Sequence, residues 1–260
     1  LQFTSGGSGT LVRCQLDNAS YGIYQTGSGI VDLNNCTINH CGYGVYLSGG
    51  MLKLGSTTIT DCTSYGIYAT GIAPVQTDGN VVVDNCGTGF YLTGVSGLNL
   101  MIPVTVRNNT TAGLELVNCL NPSVRNLAAT GNTGTLGAQH YENCGEVTLG
   151  PGSIGGAGAL ANLWGTSLGP GSFLTATSSM PTTGNTYNDI RLGGSTISTH
   201  NGTLRKFGSR AYAVDGTYLV PTGTSVTIEA GTAVKLGSGR AINVQGTLLA
   251  IGSVGSEIQF

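Results

Sequence analysis

Short apolar runs alternate with polar, glycine-rich turns along the whole chain. The clearest runs cover residues 10–14, 29–33, 57–60, 80–83 and 104–106. They are rich in β-branched residues and are bounded by Gly, Asn, Asp and Ser, which is typical of strands and turns. No stretch repeats apolar residues with a helical period, and each of the 44 glycines would weaken a helix interior by about 1 kcal/mol. The pattern therefore predicts short β-strands throughout.

One of these runs recurs at a nearly constant spacing. The segment Tyr21-Gly22-Ile23-Tyr24 returns at residues 43–46 and 65–68 and, more loosely, at residues 88–91, so its closing tyrosine stands at positions 24, 46, 68 and 91. Such a period belongs to units that bury their apolar face only by stacking on copies of themselves. With strands in each unit, it predicts an all-β parallel β-helix of about eleven coils.

Stacked coils place equivalent residues above one another in columns. The repeat predicts one column at Asn18, Cys41, Cys62, Cys86 and Asn109. A second column, four or five residues earlier, is predicted at Cys14, Cys36, Thr58, Val82 and Thr105. We interpret both as structural ladders of small inward side chains. Because the seven cysteines form no CxxC pair or His/Cys cluster, we expect buried free thiols, no metal and no cofactor.

Composition favours a secreted or cell-surface protein. Only 8% of the residues are charged, the net charge is −2, and Gly, Ser, Thr and Asn dominate the polar positions. Ten basic residues spread over the chain argue against nucleic acid as a partner. No apolar run approaches the length of a membrane span. The chain opens with Leu1 rather than Met, so we expect a mature or excised piece.

The regularity of the repeat divides the chain into three parts of one β-helix over residues 1–260. Tyrosine and cysteine ladders are predicted for residues 1–145. Irregular Gly/Ser/Thr-rich coils with longer turns follow over residues 146–211. From residue 212 to residue 260, strands return about every eight residues, which predicts regular coils of three strands each.

Two stretches resemble known proteins. The N-terminal coils, with their Asn/Cys turn followed by Gly-Ile-Tyr, resemble the β-helix repeats of the pectin-lyase-like superfamily. Residues 218–236 and 244–252 are similar to the rungs of tandem-repeat bacterial and archaeal surface proteins of that superfamily. The resemblance implies a right-handed coil. It does not imply one activity, because this architecture carries lyases, hydrolases, epimerases, adhesins and phage spikes.

An enzymatic site would need acidic groups that converge on one face. The best candidate column contains Asp17, His40 and Asp61, followed by Asn85 and Asn108. Asp and Asn are also favoured in turns for backbone reasons. The paired-aspartate motifs and arginine-rich strands of pectin-active families are missing. We therefore interpret the column as solvated turns and assign no catalytic residue.

Tyrosines form two further predicted columns. Tyr21, Tyr43 and Tyr65 make one, and the second contains Tyr24, Tyr46, Tyr68 and Tyr91. The intervening Ile23, Val45, Ile67 and Phe90 should be buried, because alternate residues of a strand face opposite sides. The tyrosines could stack for stability or could bind sugars or a protein surface. We favour stacking for stability.

The two ends of the chain have similar amino-acid sequences. Leu1, Gln2 and Phe3 begin it, and Ile258, Gln259 and Phe260 close it. Superposing Phe260 on Phe3 defines the chain as one period of a tandem array, although a chance match is the alternative. We expect these residues to mediate head-to-tail stacking on copies of the protein or on adjacent modules of the same chain. A cell-surface polysaccharide is a further candidate partner.

These observations predict a non-enzymatic extracellular structural module of a surface fibre, filament or adhesin. The alternative is a carbohydrate-active enzyme or polysaccharide-binding module of the pectin-lyase-like type. A groove with converging carboxylates would favour the alternative, and a smooth rod with exposed coil ends would favour the structural module.

Overall fold

The computed structural model describes residues 1–71, 75–95, 98–100, 103–156, 158–178, 183–194 and 199–260. The chain coils as a right-handed parallel β-solenoid of about ten turns with almost no helix. This confirms the all-β parallel β-helix predicted from the repeat and the hand implied by the resemblance. The number of turns is close to the expected eleven, and the difference arises because the middle coils are longer than the repeat.

The described residues form thirty strands and one 3₁₀ turn, Gly158–Leu160. The first fifteen strands are β1 (Gln2–Phe3), β2 (Gly9–Val12), β3 (Gln15–Asp17), β4 (Tyr21–Thr26), β5 (Ile30–Asn34), β6 (Thr37–Asn39), β7 (Tyr43–Ser48), β8 (Met51–Gly55), β9 (Thr58–Thr60), β10 (Tyr65–Thr70), β11 (Val75–Thr77), β12 (Val81–Asp84), β13 (Thr88–Thr93), β14 (Asn99–Leu100) and β15 (Val104–Arg107). The remaining strands are β16 (Ala112–Val117), β17 (Ser123–Val124), β18 (Leu127–Thr130), β19 (Gly137–Glu142), β20 (Gly145–Leu149), β21 (Ser153–Ile154), β22 (Trp164–Leu168), β23 (Ser172–Leu174), β24 (Tyr187–Gly194), β25 (Gly202–Leu204), β26 (Tyr212–Val220), β27 (Ser225–Ile228), β28 (Val234–Leu236), β29 (Ala241–Val244) and β30 (Thr247–Ala250).

Strands of successive coils pair along the rod axis and form parallel sheets. Sheet A has the order β1-β4-β7-β10-β13-β16-β19-β22-β24-β26-β28, with β29 pairing the second half of β26. A second sheet contains β3-β6-β9-β12-β15-β18-β21. Three shorter sheets follow one another along the rod as β2-β5-β8-β11, β14-β17-β20-β23 and β25-β27-β30. Sheet A therefore runs through all three parts of the chain.

The Tyr-Gly-Ile-Tyr repeat lies in sheet A, and its glycine has a packing reason. A Cβ atom on Gly44 would lie 2.6 Å from the carbonyl oxygen of Gly66 on the next coil and 2.5 Å from Cγ2 of Ile59 in the core. Only glycine fits where the rungs approach so closely. The aliphatic or aromatic residue after each glycine is fully buried in one register column, which contains Ile23, Val45, Ile67, Phe90 and Leu114.

The polar turn before sheet A is left-handed in successive coils. The residues at this position have φ between 50° and 56° and are Asn18, His40, Asp61, Asn85 and Asn108. Short polar side chains tolerate this conformation better than other non-glycine residues. Asp17 pairs with Asn39 instead, so it lies one residue before this column. The predicted column of Asp17, His40 and Asp61 was therefore wrong in its first member.

The predicted ladder of Asn18 with Cys41 was wrong by the same single residue. The backbone bonds of the turn place Ala19 level with Cys41, because the amides of Gly42 and Thr63 donate to their carbonyls in the same way. The turn to the following tyrosine changes length by one residue between Cys41 and Cys62. The ladder in the structure runs through Ala19, Cys41, Cys62, Cys86, Asn109, Asn132, Asn162 and Asn185.

The second predicted column begins correctly and then slips. The Thr37 amide donates to the carbonyl of Cys14, and the Thr58 amide donates to that of Cys36. Cys36 is therefore followed in its column by Thr57 and Val81, whereas Thr58, Val82 and Thr105 are only partly buried. In the corrected column, Cys36, Thr57 and Val81 point inward and are buried.

The middle coils are longer and have a partly polar interior. Along sheet A, Tyr24 pairs with Tyr46, His140 with Ser167, and Arg191 with Ala213, so the coil that follows His140 is longer than the coils near either end. Inside these coils, Gln139 Nε2 donates to Thr166 Oγ1 over 2.8 Å. The Tyr141 hydroxyl donates to Gln139 Oε1 over 2.7 Å. Inserted turn residues thus accompany a change from apolar to hydrogen-bonded packing.

Candidate functional site

The two predicted tyrosine columns lie on the outer side of sheet A. Tyr46 stacks on Tyr24 and Tyr68 with ring centroids 5.1 Å and 5.0 Å apart and interplanar angles of 11° and 4°. Rings of the other column meet these at their edges, as Tyr43 does with Tyr46 at 5.7 Å and 82°. The ring faces are thus occupied by other tyrosines along the rod axis. This geometry favours stacking for stability.

The column of Tyr21, Tyr43 and Tyr65 ends at Tyr65, and a groove begins there. The next residues in register are the smaller Thr88 and Ala112. We call this space, of about 480 Å³, the tyrosine groove. Tyr65 forms one end, Tyr91 and Glu115 line the side toward the sheet, and Leu136 stands at the other end. The remaining lining residues are Thr63, Ser64, Gly87, Thr88, Thr110 and Thr111.

Beyond Tyr91 the second column changes from aromatic residues to polar and charged ones. Its next members in register are Glu115, His140, Ser167 and Arg191. His140 is only 3% exposed, and its Nε2 lies 3.7 Å from Glu142 Oε2. Two glutamates and a histidine therefore converge next to the groove.

A hydrogen-bonded chain continues from this histidine along the axis. Arg191 Nη1 donates to Ser167 Oγ over 3.0 Å, and Ser167 Oγ lies 3.0 Å from His140 Nδ1. Since a guanidinium only donates, the serine oxygen accepts on that side, and its own proton is available to the imidazole. Arg191 Nε also contacts Asp215 Oδ2 at 3.3 Å. This chain orients His140 from the side opposite to the groove.

Burial governs the ionisation of the groove. It raises the pKa of the Glu115 carboxyl, which His140 lowers and Glu142 raises further. Burial, followed by the Glu115 charge, raises the pKa of Tyr91 to about 12. The same two causes raise the pKa of Tyr65. The groove therefore combines a carboxyl group in a low-dielectric setting with two neutral phenols.

The predicted acid and base residues are brought together only in part. Asp17 Oδ1 lies 3.0 Å from His40 Nδ1, and the His40 side chain is 59% exposed. Asp61 instead accepts a 2.6 Å hydrogen bond from the Asn85 amide, which lowers the pKa of its carboxyl. These contacts join one turn to the next. The interpretation of the column as solvated turns stays a prediction.

The ladder side chains share one backbone contact. The thiol of Cys86 donates to the carbonyl of Asp84, two residues earlier, at 3.3 Å. The amide of Asn132 makes the same contact with Thr130 at 3.3 Å. Cys and Asn therefore interchange in this column because both side chains donate to the carbonyl that precedes the left-handed residue.

The cysteines are free thiols among the described residues. Those at positions 36, 41, 62, 86, 119 and 144 are buried, and only Cys14 is partly exposed. Burial raises the pKa of Cys119, and it raises the pKa of Cys144 to about 12. Cys119 and Cys144 form a short ladder after sheet A that the sequence pattern did not reveal. The raised pKa of Cys119 and Cys144 disfavours their reactive thiolate form.

Both end coils expose apolar side chains. Leu1 is 59% exposed and Phe260 is 66% exposed, whereas Phe3 and Ile258 pack against the core. Gln2 pairs with Tyr24, and Gln259 pairs with Ala233. Phe260, the next residue, therefore lies level with Val234 on the neighbouring coil. Traced through sheet A, that column leads to Leu1, two residues before the Phe3 on which the predicted superposition places Phe260, and the head-to-tail stacking itself stays a prediction.

Residues 2–152 match the family described as right handed beta helix region. The chain belongs to this family. The pectin-lyase-like resemblance is consistent with it, and the family includes both enzymes and proteins without enzymatic activity. No curated protein and no solved structure matches the chain. In the described part of this β-helix, no helical segment has the length and apolar character needed to cross a bilayer.

Sequence reasoning missed the part of the site formed by Glu115, His140 and Glu142. Glu115 follows Tyr91, and His140 follows Glu115, at spacings slightly longer than those between the tyrosines. The only available signal was this continued spacing, because neither position carries the tyrosine that marks the earlier coils. The convergence of these side chains becomes visible only when the register of sheet A is known.

Proposed function

We propose that the protein is a non-enzymatic extracellular structural module of a surface fibre, filament or adhesin. The observation that carries the proposal is the tyrosine ladder, in which rings of neighbouring coils stack face to face along the rod axis. Such ladders stabilise a rod along its axis and grow with each added coil. The low charge content of the chain suits an extracellular location.

The end coils support extension of the rod. The last coil exposes a set of apolar side chains that comprises Leu236, Val244, Leu249, Ile251 and Phe260. Unpaired strand edges and open apolar faces require cover. A further coil would supply it, either from the same chain or from another copy. In the second case the contact is head-to-tail and propagates.

Self-association of the full chain tests this proposal. We expect the sedimentation coefficient to rise with concentration for the parent and for Leu120→Asp, which alters an apolar residue on the side of the rod that is 57% exposed. Phe260→Asp should abolish the rise, because it places a charge on the stacking face. A concentration-independent monomer for the parent, or unchanged association of Phe260→Asp, would refute head-to-tail stacking.

The tyrosine groove favours a second candidate, a carbohydrate-active or polysaccharide-binding module. Glu115 and Glu142 flank His140 beside an aromatic wall, and a carboxyl group of raised pKa suits a general acid. Depolymerisation of a neutral or acidic polysaccharide, lost in Glu115→Gln and retained in Asp61→Asn, would establish this candidate. The structural proposal predicts no depolymerisation by any of the three proteins.

A further inference from the structure

The Glu115 carboxyl group differs from the other acidic groups with defined contacts. Asp84, Asp189 and Asp215 each contact a cationic side chain, at 2.7 Å, 2.7 Å and 3.3 Å. Among the described residues, Glu115 makes neither a hydrogen bond nor an ion pair, although its side chain is partly buried. A carboxylate in such a setting is stabilised by a cation. Among the described residues, the Glu115 carboxyl group therefore has the neighbouring His140 as its favourable electrostatic partner but no cation in direct contact.

The groove around Glu115 presents aromatic surface to the same space. Tyr65 and Tyr91 both line it, with ring centroids 5.4 Å apart and an interplanar angle of 62°. One face of Tyr65 is covered by Tyr43, and no tyrosine follows it in register. Aromatic rings attract ammonium and guanidinium groups through the negative potential of their faces. Two rings and a carboxyl group around one space favour a cation over an anion.

The charges near the groove also favour a cation as the ligand. Glu142 adds a second negative charge, and it lies next to His140. Arg191, the nearest arginine along the column, is engaged by Ser167 and Asp215. The groove is therefore electronegative on its sheet side.

We propose that the tyrosine groove binds an organic ammonium cation, with Glu115 as its counter-ion and the rings of Tyr65 and Tyr91 as its aromatic walls. Leu136 and the threonine methyl groups accommodate the alkyl part of the ligand. The cation is carried either by a small amine or by a lysine side chain of a polypeptide. This site does not depend on the structural role proposed above.

Titration with butylammonium chloride followed by NMR of the Glu115 carboxyl and tyrosine ring signals tests the proposal. The neutral analogue 1-butanol serves as the ligand control, and Glu257→Gln, at the far end of the rod, serves as the protein control. We expect saturable shifts with butylammonium in the parent and in Glu257→Gln. Binding should be at least about tenfold weaker for 1-butanol and in Glu115→Gln.

A second variant and a pH series separate binding from folding. Tyr91→Leu should fold and should bind butylammonium several-fold more weakly. Affinity in the parent should rise with pH as Glu115 loses its proton. Tetralysine that binds more tightly than butylammonium would assign the cation to a polypeptide, and equal binding would assign it to a small amine. Equal affinity for 1-butanol, unchanged binding in Glu115→Gln, or no saturation would overturn the proposal.

Discussion

The N-terminal and middle coils of the rod are held together in different ways. In β4, β7, β10 and β13, the second column of sheet A repeats tyrosine, and identical rings stack on one another. Its members are Tyr24, Tyr46, Tyr68 and Tyr91. In β16, β19, β22 and β24, the same column carries Glu, His, Ser and Arg, and hydrogen bonds join the last three as unlike partners. A repeated column needs only a constant spacing. A column of unlike residues needs a hydrogen-bond donor next to each acceptor.

The inner ladder shows the same contrast. Its cysteines, such as Cys62, donate to a carbonyl of their own turn. Its asparagines also bond from coil to coil, since Asn109 Nδ2 donates to Asn132 Oδ1 over 2.9 Å and Asn132 Nδ2 donates to Asn162 Oδ1 over 2.8 Å. Directional side-chain bonds therefore join successive coils in the asparagine part of the ladder. In the cysteine part, each thiol bonds to its own turn and packs in the apolar core.

The largest effect should follow from breaking the asparagine ladder. Asn132→Ala removes the acceptor for the Asn109 backbone and side-chain amides and the donor to the Val106 carbonyl. Because these groups stay buried, we expect a loss of about 3 kcal/mol or more in the free energy of unfolding, measured by urea denaturation. Cys62→Ala, the matched change in the thiol part, should cost about 1 kcal/mol. Equal losses would contradict the distinction between the two parts.

Removal of one tyrosine ring should have the next largest effect. Tyr46 contacts four neighbouring rings, Tyr21, Tyr24, Tyr43 and Tyr68, at 5.0 to 5.7 Å. Each such pair contributes about 0.5–1.5 kcal/mol. Tyr46→Ala should therefore lower the free energy of unfolding by about 2 kcal/mol or more, and Tyr46→Phe should preserve it. A destabilised Phe variant would assign the effect to the hydroxyl groups instead of the rings.

A smaller, pH-dependent effect is expected in the groove. Because burial raises the pKa of Glu115 in the folded state, the folded parent loses stability as pH rises from the ordinary glutamate pKa through the raised one. Glu115→Gln should remove this loss, so that the variant is the more stable protein at pH 7 and is equal to the parent at low pH. Thermal unfolding over a pH series measures the difference.

Glu257 provides the opposite sign. Hydrogen bonds with its own backbone and with Gly255 lower the pKa of Glu257, so its contribution to stability is present at neutral pH and is lost as pH falls through the lowered value. Glu257→Gln should therefore never stabilise the protein at pH 7. A stabilised Glu257→Gln variant, or an unchanged Glu115→Gln variant at that pH, would contradict these assignments.

The smallest effect should come from the turn column. Asp61 has φ of 55° and lies level with Asn85, which has φ of 53°, so Asp61→Asn keeps a side chain that tolerates the left-handed region. Its cost should stay within about 0.5 kcal/mol. Asp61→Val should cost about 1–3 kcal/mol, because a β-branched residue is strained there. A large loss in the Asn variant would indicate that the carboxylate itself stabilises the turn.

Prediction from the sequence was most successful where the spacing is constant. The tyrosine columns were placed correctly because Tyr21, Tyr43 and Tyr65 are evenly spaced and pair directly. The turn columns were misplaced by one residue at Asn18 and Asp17, since the turn between the ladder and the tyrosine varies in length. Beyond Tyr91, longer and unequal spacings and the loss of the tyrosine hid Glu115, His140 and Ser167 from the repeat pattern.

The sequence by itself determined that this chain is a stack of β-coils, because a repeated strand, glycine and tyrosine can bury their apolar side only against copies of themselves. It also determined which residues face inward in the regular coils, since alternate residues of a strand face opposite sides. Only the tertiary structure decided which unlike side chains meet. Register accumulates over every turn, so one inserted residue shifts all later contacts, and the carboxyl group of Glu115 reaches its groove through coils whose lengths no local pattern specifies.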